Sequence, residues 1–258
     1  MQSLMPSWIL AQAIQPHHRV AIGGDGGDEL FLGYARYLSL APQLAKVSDR
    51  GNWASLYWMH GLPVGDAKAI EKANQEQQLQ PMKLLEEQMR ILQAEYAHSP
   101  LEFLQLLDLL NYLPGSVLAK ADRSSMDWGL ETRSPLLNTR IALAGLALQP
   151  QHLIQGNSLK HVLRQLLKAK AGPLPSGAKQ GFGAAISQGS ELERFLQQNA
   201  QNKLNQLTQD LQDKAIARWL KTFATTTKNW NQNALFSLSI WLDWLTRLRK
   251  EYPSIEVN

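Results

Sequence analysis

The sequence predicts a mainly α-helical protein with one or two short β-strands. The apolar run Val20-Ala21-Ile22 is followed at once by glycines and carboxylates, which is the pattern of a strand that ends in a loop. Most other apolar residues recur at helical spacing, and none of them form a run long enough to cross a membrane. With 258 residues, of which 44% are apolar, the chain is expected to bury a core rather than remain disordered.

Prolines and glycines divide the rest of the chain into helical segments. After a strand at 19–23, we expect helices over residues 28–46, 66–97, 100–111, 116–127, 138–148, 158–170, 187–221 and 229–250. The last segment carries a stripe of tryptophans and leucines, which is far more typical of core packing than of a cofactor site.

The acidic loop, residues 23–29, is the most informative part of the chain. It reads Gly-Gly-Asp-Gly-Gly-Asp-Glu, so its glycines permit a tight turn and a close approach to the backbone. The carboxylates would repel a bare phosphate, and a phosphate bound here would need Mg²⁺ as a bridge. The Gly-Lys-Ser/Thr ending of a P-loop is absent, and no glutamate follows at the twelfth position of an EF-hand. A polar surface turn is the alternative interpretation.

The signature segment, residues 112–140, places charged residues among apolar ones. Asp122, Arg123, Glu131 and Arg133 lie close together in sequence, and such a cluster is unlike a purely solvated face. Asp122 and Arg123 are expected to form a structural pair.

The lysine loop, residues 176–186, reads SGAKQGFGAAI. Its glycines would allow Lys179 to move toward a negative charge that develops on a substrate. An ordinary exposed lysine is the alternative.

Together, these three segments resemble the synthetase domain of glutamine-dependent asparagine synthetases. That family shows a GDGGDELFGGY-like loop, a YLP…KxDRxSM…LExRxPLLD segment and a KxGF loop, which stand here as GGDGGDELFLGY, YLPGSVLAKADRSSMDWGLETRSPLLN and KQGF. The opening SLMPSWILAQAI is similar to the helix before the acidic loop. The resemblance covers about residues 3–190, and the helical tail, 187–250, more loosely. Gly23, Leu32 and Asn138 depart from the family's Ser, Gly and Asp.

The resemblance implies an α/β fold of the pyrophosphate-loop ATPase type, in which helices flank a parallel sheet. It also implies a glutaminase domain with an N-terminal cysteine and an SGGxDS pyrophosphate loop. This chain contains no cysteine and no SGGxDS motif, so residues 1–258 are expected to form a partial synthetase domain. The strand at 19–23 should then lack neighbours and require a polypeptide that supplies the missing parts.

The resemblance implies that MgATP activates the side-chain carboxylate of aspartate as a β-aspartyl-adenylate, which ammonia converts to asparagine. On this basis Asp28 matches the residue that binds Mg²⁺ and pyrophosphate. Asp25 matches an acidic position that holds ammonia or accepts its proton. Lys179 matches a mobile lysine that stabilises charge on the acyl-adenylate.

The same resemblance implies roles for five further residues. Gly24, Gly26 and Gly27 would let the nucleotide approach the backbone, and Glu131 and Arg133 would shape the substrate side of the pocket. A structural ion pair is the alternative for Glu131 and Arg133.

Three functions stay open at this point. The chain is a synthetase half that works with upstream sequence, a non-catalytic remnant or interaction subunit, or an amide former of the β-lactam synthetase type. The third is disfavoured because those relatives commonly carry Tyr where Asp25 stands. A net charge of +4 without a basic stripe argues against nucleic-acid binding, and the absence of an apolar span argues for a cytoplasmic protein without a membrane partner.

Overall fold

The structure is a computed structural model of the chain. Its described residues fall into two compact units, of which one lies between residues 3 and 172 and the other begins at residue 189. The described residues are 3–47, 53, 57, 87–92, 99–172, 189–210, 239, 240, 242–244, 246, 247, 250 and 251.

The first unit is built mainly from helices, which confirms the prediction of a helix-rich chain with one or two strands. Its elements are α1 (Leu4–Ile14), β1 (Val20–Ile22), α2 (Gly27–Leu30), α3 (Ala35–Lys46), α4 (Pro100–Leu107), a π-helix (Asp108–Leu118), α5 (Ala119–Met126), β2 (Glu131–Arg133), a 3₁₀ turn (Pro135–Leu137), α6 (Thr139–Ala147), α7 (Pro150–Leu153) and α8 (His161–Ala171).

Strands β1 and β2 form a parallel pair. Ala21 lies opposite Thr132, and the flanking residues pair in the same register. The expectation that the first strand lacks neighbours was therefore wrong for one of its edges. Sequence reasoning missed β2 because Glu-Thr-Arg is short, polar and exposed, and so carries no apolar strand pattern.

The core of the first unit lies behind the acidic loop. Helix α3 contributes buried residues at helical spacing, and α4 contributes a second apolar face. Helix α4 begins at a capping box, in which the Ser99 side chain accepts from the Glu102 amide at 3.2 Å and the Glu102 side chain accepts from the Ser99 amide at 3.0 Å. The largest fully buried side chains are Leu30, Leu32, Tyr37, Leu40, Leu44, Met89, Phe103, Leu104, Leu107, Leu130 and Leu153.

The predicted helix over 28–46 is broken in two at Leu32. This buried leucine has a φ of 52°, a left-handed conformation that a helix cannot accommodate. The Gly33 amide then donates to the Asp28 carbonyl at 2.7 Å and closes α2. The family's glycine at position 32 would adopt this conformation without strain.

The predicted helix over 100–111 does not end before Pro114. The chain continues through that proline as the π-helix and enters α5 without a break. Pro114 has no amide hydrogen to give to a helical ladder, and the wider π-helical turn carries the backbone past it.

The second unit contains α9 (Glu191–Asp210), which lies inside the helix predicted over 187–221. The Ser190 side chain accepts from the Glu193 amide at 3.1 Å and caps the helix. Leu196 and Leu242 are buried, Ser239 donates to the Leu196 carbonyl, and Lys203 pairs with Asp243.

Several predictions concern residues outside the described part of the chain. The lysine loop lies there entirely, as does most of the predicted helix over 66–97, and residues 229–250 are described only in part. In the described part of the chain, no helix combines the length and hydropathy of a membrane span.

Candidate functional site

The acidic loop begins where β1 ends, and hydrogen bonds hold both of its ends. The Gly23 amide donates to the Arg133 carbonyl at 2.8 Å and so prolongs the pairing of β1 with β2. Gly26 has a φ of 85° and precedes α2, and its carbonyl accepts from the Leu30 amide at 2.9 Å. A side chain at position 26 would be strained and would also collide with Leu137, so this turn requires glycine.

The three glycines predicted to admit a nucleotide differ in their surroundings. Gly24 is exposed, and a Cβ built on it meets nothing within 4 Å. Gly26 and Gly27 are buried against the 3₁₀ turn, and a Cβ at Gly27 would lie 2.8 Å from Leu136. Close approach to a ligand is therefore open at Gly24, whereas the other two glycines let the loop pack on its own fold.

Asp25 lies half-buried at the tip of the loop. Its carboxylate accepts one long hydrogen bond, of 3.4 Å, from the Ser134 hydroxyl. A Cβ built on Gly23 would lie 3.2 Å from the same carboxylate, so the family's serine at position 23 would place a second hydroxyl beside Asp25. In this chain, Ser134 supplies a hydroxyl to that carboxylate.

Asp28 forms an ion pair with Lys160, which sequence reasoning missed. The Lys160 Nζ lies 2.9 Å from the carboxylate, and both side chains are about one-quarter exposed. Lys160 reaches Asp28 across Gly33, where any Cβ would collide with both partners. Residues 28 and 160 are far apart in sequence, so no local pattern indicates that they pair. The one related feature of the sequence is Gly33, whose missing side chain leaves room for the contact.

The donor set around Asp28 fits Mg²⁺ only when phosphate accompanies it. The described residues contain no group of three or more histidine, cysteine, aspartate or glutamate side chains that could hold a metal ion. Mg²⁺ in nucleotide sites takes one or two carboxylates and completes its shell with phosphate oxygens and water. Asp28 can supply one such carboxylate, and Lys160 offers a positive charge to the same phosphate.

A cavity of about 360 Å³ opens beside Gly24 and Asp25. Helices α1 and α5 and both strands form its walls. Trp8 of α1 packs against Trp128 in the turn after α5, with ring centroids 4.8 Å apart. Its polar lining consists of Asp25, Lys120 and the hydroxyl groups of Ser7, Ser124, Ser125 and Thr132. The acidic loop and part of the signature segment therefore meet at one cavity, although the charged residues singled out in that segment do not line it.

Glu131 and Arg133 do not line this cavity with Asp25. They flank Thr132, which does line it, and alternate residues of a strand point to opposite faces. Both side chains are exposed and pair with each other at 2.8 Å. Their mutual hydrogen bond lowers the pKa of Glu131 and raises that of Arg133. Their role at a substrate pocket stays a prediction.

The expected pair between Asp122 and Arg123 is not found among the described ion pairs. Both residues are exposed on α5, on the turn after Lys120. Neither lines the cavity beside Asp25.

A buried polar cluster lies on the inner side of the loop. Glu29 is almost fully buried and accepts a 2.5 Å hydrogen bond from the Tyr34 hydroxyl. Burial raises the pKa of Glu29 above its ordinary value, and the Tyr34 hydrogen bond partly opposes that rise. The Arg36 guanidinium lies over the Tyr34 ring at 4.3 Å.

Asp108 is the centre of this cluster. Its buried carboxylate accepts hydrogen bonds from Arg36 at 2.7 Å, from the Tyr37 hydroxyl at 2.5 Å and from the Tyr57 hydroxyl at 2.6 Å. Burial, followed by the charge of Asp108, raises the pKa of both tyrosines. The cluster joins α3 to the π-helix, and this π-helix leads directly into the cavity wall at α5.

Comparison with known proteins identifies similar sequences. A sequence model of a family described as asparagine synthase matches residues 1–246. The glutamine-hydrolyzing asparagine synthetase 1 of Bacillus subtilis (strain 168) is 25% identical over 212 residues, which are 70% of this chain and 33% of that protein. A Mycobacterium tuberculosis (strain H37Rv) protein, provisionally named a glutamine-hydrolyzing asparagine synthetase, is 28% identical over 194 residues, which are 64% of this chain and 29% of that protein.

The chain spans about a third of the length of these curated relatives. No solved structure matches it.

Proposed function

Because the chain belongs to the asparagine synthase family, we propose that it contributes one half of an ATP-dependent amide-forming site. In this reaction ATP activates the side-chain carboxylate of aspartate as a β-aspartyl-adenylate, and ammonia displaces AMP to give asparagine. The observation that carries the proposal is the position of Asp25, which follows a parallel strand and faces a cavity of substrate size. The complete fold would be of the pyrophosphate-loop ATPase type.

Asp25 is proposed to hold the attacking ammonia. An N–H of ammonia would donate to the carboxylate, which then accepts the proton that the nitrogen loses as the amide bond forms. The Ser134 hydroxyl donates to one oxygen of Asp25 and helps to orient the side chain. Asp25 lines the cavity and accepts one hydrogen bond among the described residues, so its carboxylate has further lone pairs to offer the nitrogen.

Asp28 and Lys160 are proposed to serve the phosphate end of the site. Lys160 balances the charge of Asp28, so the loop repels an approaching triphosphate less than its carboxylates alone would. Mg²⁺ bound with ATP would spread the charge of the departing pyrophosphate. Gly24 leaves the backbone open to close approach, and Lys179 retains its proposed role toward the acyl-adenylate.

The site requires the pyrophosphate loop and a source of ammonia, which we propose come from a glutaminase and pyrophosphate-loop sequence in the same or another polypeptide. The exposed side of β1 supports this. Ile22 is 79% exposed and Val20 is 41% exposed, whereas parallel strands are normally covered on both faces. A further strand and helix would remove these apolar side chains from water at about 25 cal/mol per Å².

At two of the three substituted positions, 23 and 138, the structure offers a replacement for the group that the family carries, which favours the synthetase half over the remnant hypothesis. Ser134 provides a hydroxyl to Asp25 although position 23 is glycine. Asn138 accepts from the Arg140 amide at 3.0 Å, so it caps α6 as an aspartate would.

The test combines this chain with a polypeptide that carries the glutaminase domain and the SGGxDS loop. We expect aspartate-dependent exchange of pyrophosphate into ATP only when both are present. We also expect Asp28→Asn to reduce the exchange at least tenfold while the two polypeptides still co-purify. Exchange by this chain alone, or no exchange by the pair with aspartate, would overturn the proposal.

A further inference from the structure

Lys120 places a positive charge in the wall of the cavity beside Asp25. It is half-buried in the first turn of α5, and the described residues give its ammonium no ion-pair partner within 4.0 Å. Asp25 lines the same cavity but is not paired with it. An ammonium that is partly removed from water and lacks a counter-ion is stabilised by an anion that enters the site.

Among the described residues that line the cavity, Lys120 is the one cation, and two of the four lining hydroxyl groups already donate to backbone carbonyls. Ser124, one turn further along α5, donates its hydroxyl to the Ala121 carbonyl at 3.2 Å. Ser125 donates to the Asp122 carbonyl at 3.3 Å. The remaining walls include Leu10, Ile14 and Leu130, whose low polarity strengthens the attraction between opposite charges.

The position of the cavity determines which anion fits. Asp28 and Lys160, the proposed phosphate end of the site, do not line it. A ligand here meets one cation and one carboxylate, and the carboxylate of Asp25 is already assigned to the attacking ammonia. The site therefore suits a molecule with one carboxylate to meet Lys120 and a second, activated carboxyl group to approach Asp25. An amino acid with a second carboxyl group in its side chain has this arrangement, and about 360 Å³ lies at the lower end of small-molecule sites.

We infer that Lys120 binds the α-carboxylate of the amino-acid substrate and selects for substrates that carry one. This inference rests on the proposed function and adds a residue that determines specificity. The alternative source of the same negative charge is a phosphate of the nucleotide. In the first case Lys120 contacts the amino acid, and in the second it contacts ATP, so the two are distinguished by which substrate binds less tightly when Lys120 is replaced.

The kinetic test uses the assembled enzyme and its aspartate-dependent exchange. Lys120→Met should raise the KM for aspartate about tenfold to a hundredfold, the range of a hydrogen bond to a charged group, and leave the KM for ATP unchanged. Lys120→Arg should restore part of the loss. The wild-type enzyme should prefer aspartate to β-alanine, which lacks the α-carboxylate, and Lys120→Met should lose that preference. Lys168→Met, an exposed lysine on α8, is the matched control.

A labelling experiment tests the site without relying on activity or on a variant. Lys120 of the chain is acetylated with acetic anhydride, and the modification is followed by mass spectrometry with L-aspartate, with inorganic pyrophosphate or with neither. Protection of Lys120 but not Lys168 by aspartate supports the inference, even when exchange is absent and the proposed function fails. Protection by pyrophosphate alone, or by neither compound, overturns the inference. In the kinetic test, an equal rise in the KM for aspartate and the KM for ATP in Lys120→Met overturns it as well.

Discussion

The acidic loop has two sides that differ in how their charged groups are satisfied. On the inner side Glu29 accepts a hydrogen bond from Tyr34, and the nearby Asp108 accepts three. On the outer side Asp25 accepts one long hydrogen bond, and Lys120 has no ion pair among the described residues. Carboxylates of one short motif therefore differ in their surroundings: Glu29 is buried and hydrogen-bonded inside the fold, whereas Asp25 faces the cavity.

The largest loss of stability is expected from a substitution on the inner side of the loop. Asp108→Ala would leave the partly buried Arg36 without its counter-ion and two tyrosine hydroxyls without their acceptor, which should lower the free energy of unfolding by about 3 kcal/mol. Urea denaturation followed by circular dichroism measures the change. Asp25→Ala, on the outer side, should shift the urea midpoint little. An equal decrease in the free energy of unfolding for both variants would contradict the proposed difference between the inner and outer sides.

The strained backbone at Leu32 offers a sharper test of the inner side. Leu32→Gly and Leu32→Ala both remove the buried side chain, but only glycine adopts a φ of 52° without strain. The glycine variant should therefore be the more stable of the two by about 1 kcal/mol, which reverses the usual order at helical positions. Leu30→Ala and Leu30→Gly, in α2, serve as the matched pair with the ordinary order. If the alanine variant is more stable than the glycine variant at both positions, the backbone at Leu32 is not strained.

The pH dependence of stability tests Glu29. Its pKa in the folded state is raised above 4.5, so the folded protein binds the proton more tightly than the unfolded chain does. Stability should therefore fall as the pH rises from about 4.5 through the folded-state pKa, by about 1.4 kcal/mol for each unit of elevation. Urea midpoints between pH 4 and 8 should show this fall in the wild type and not in Glu29→Gln. Parallel curves for the two proteins would assign the dependence to other groups.

The smallest effect is expected at Glu131 and Arg133. Their side chains are exposed and lie on the strand face away from Thr132, so Glu131→Gln should leave the urea midpoint unchanged. In the assembled enzyme it should also leave the exchange rate within about twofold of wild type. A loss of exchange without a loss of stability would instead support the role at the substrate pocket that the sequence predicted.

The sequence predicted the outer side of the loop better than the inner side. The strand at 20–22 and the loop after it follow from a local pattern, because glycines and carboxylates directly after an apolar run are typical of a strand that ends in a loop. The pairs Lys160–Asp28 and Arg36–Asp108 join residues far apart in sequence, and no local pattern indicates such contacts. The break at Leu32 was missed because leucine is a common helix residue and nothing in the local sequence indicates the positive φ that this buried residue adopts.

The role proposed for Asp25 is tested most directly by comparing amide formation in the assembled enzyme with Asp25 intact and with Asp25 replaced. With ammonium, aspartate and MgATP supplied, Asp25→Asn should form asparagine about a hundredfold or more slowly than wild type, the range typical of a lost general base. Its urea midpoint and its aspartate-dependent ATP–pyrophosphate exchange should stay near wild type, because activation of aspartate precedes the entry of ammonia. Asparagine formation at the wild-type rate by Asp25→Asn would contradict the assignment of the outer side of the loop to the ligand.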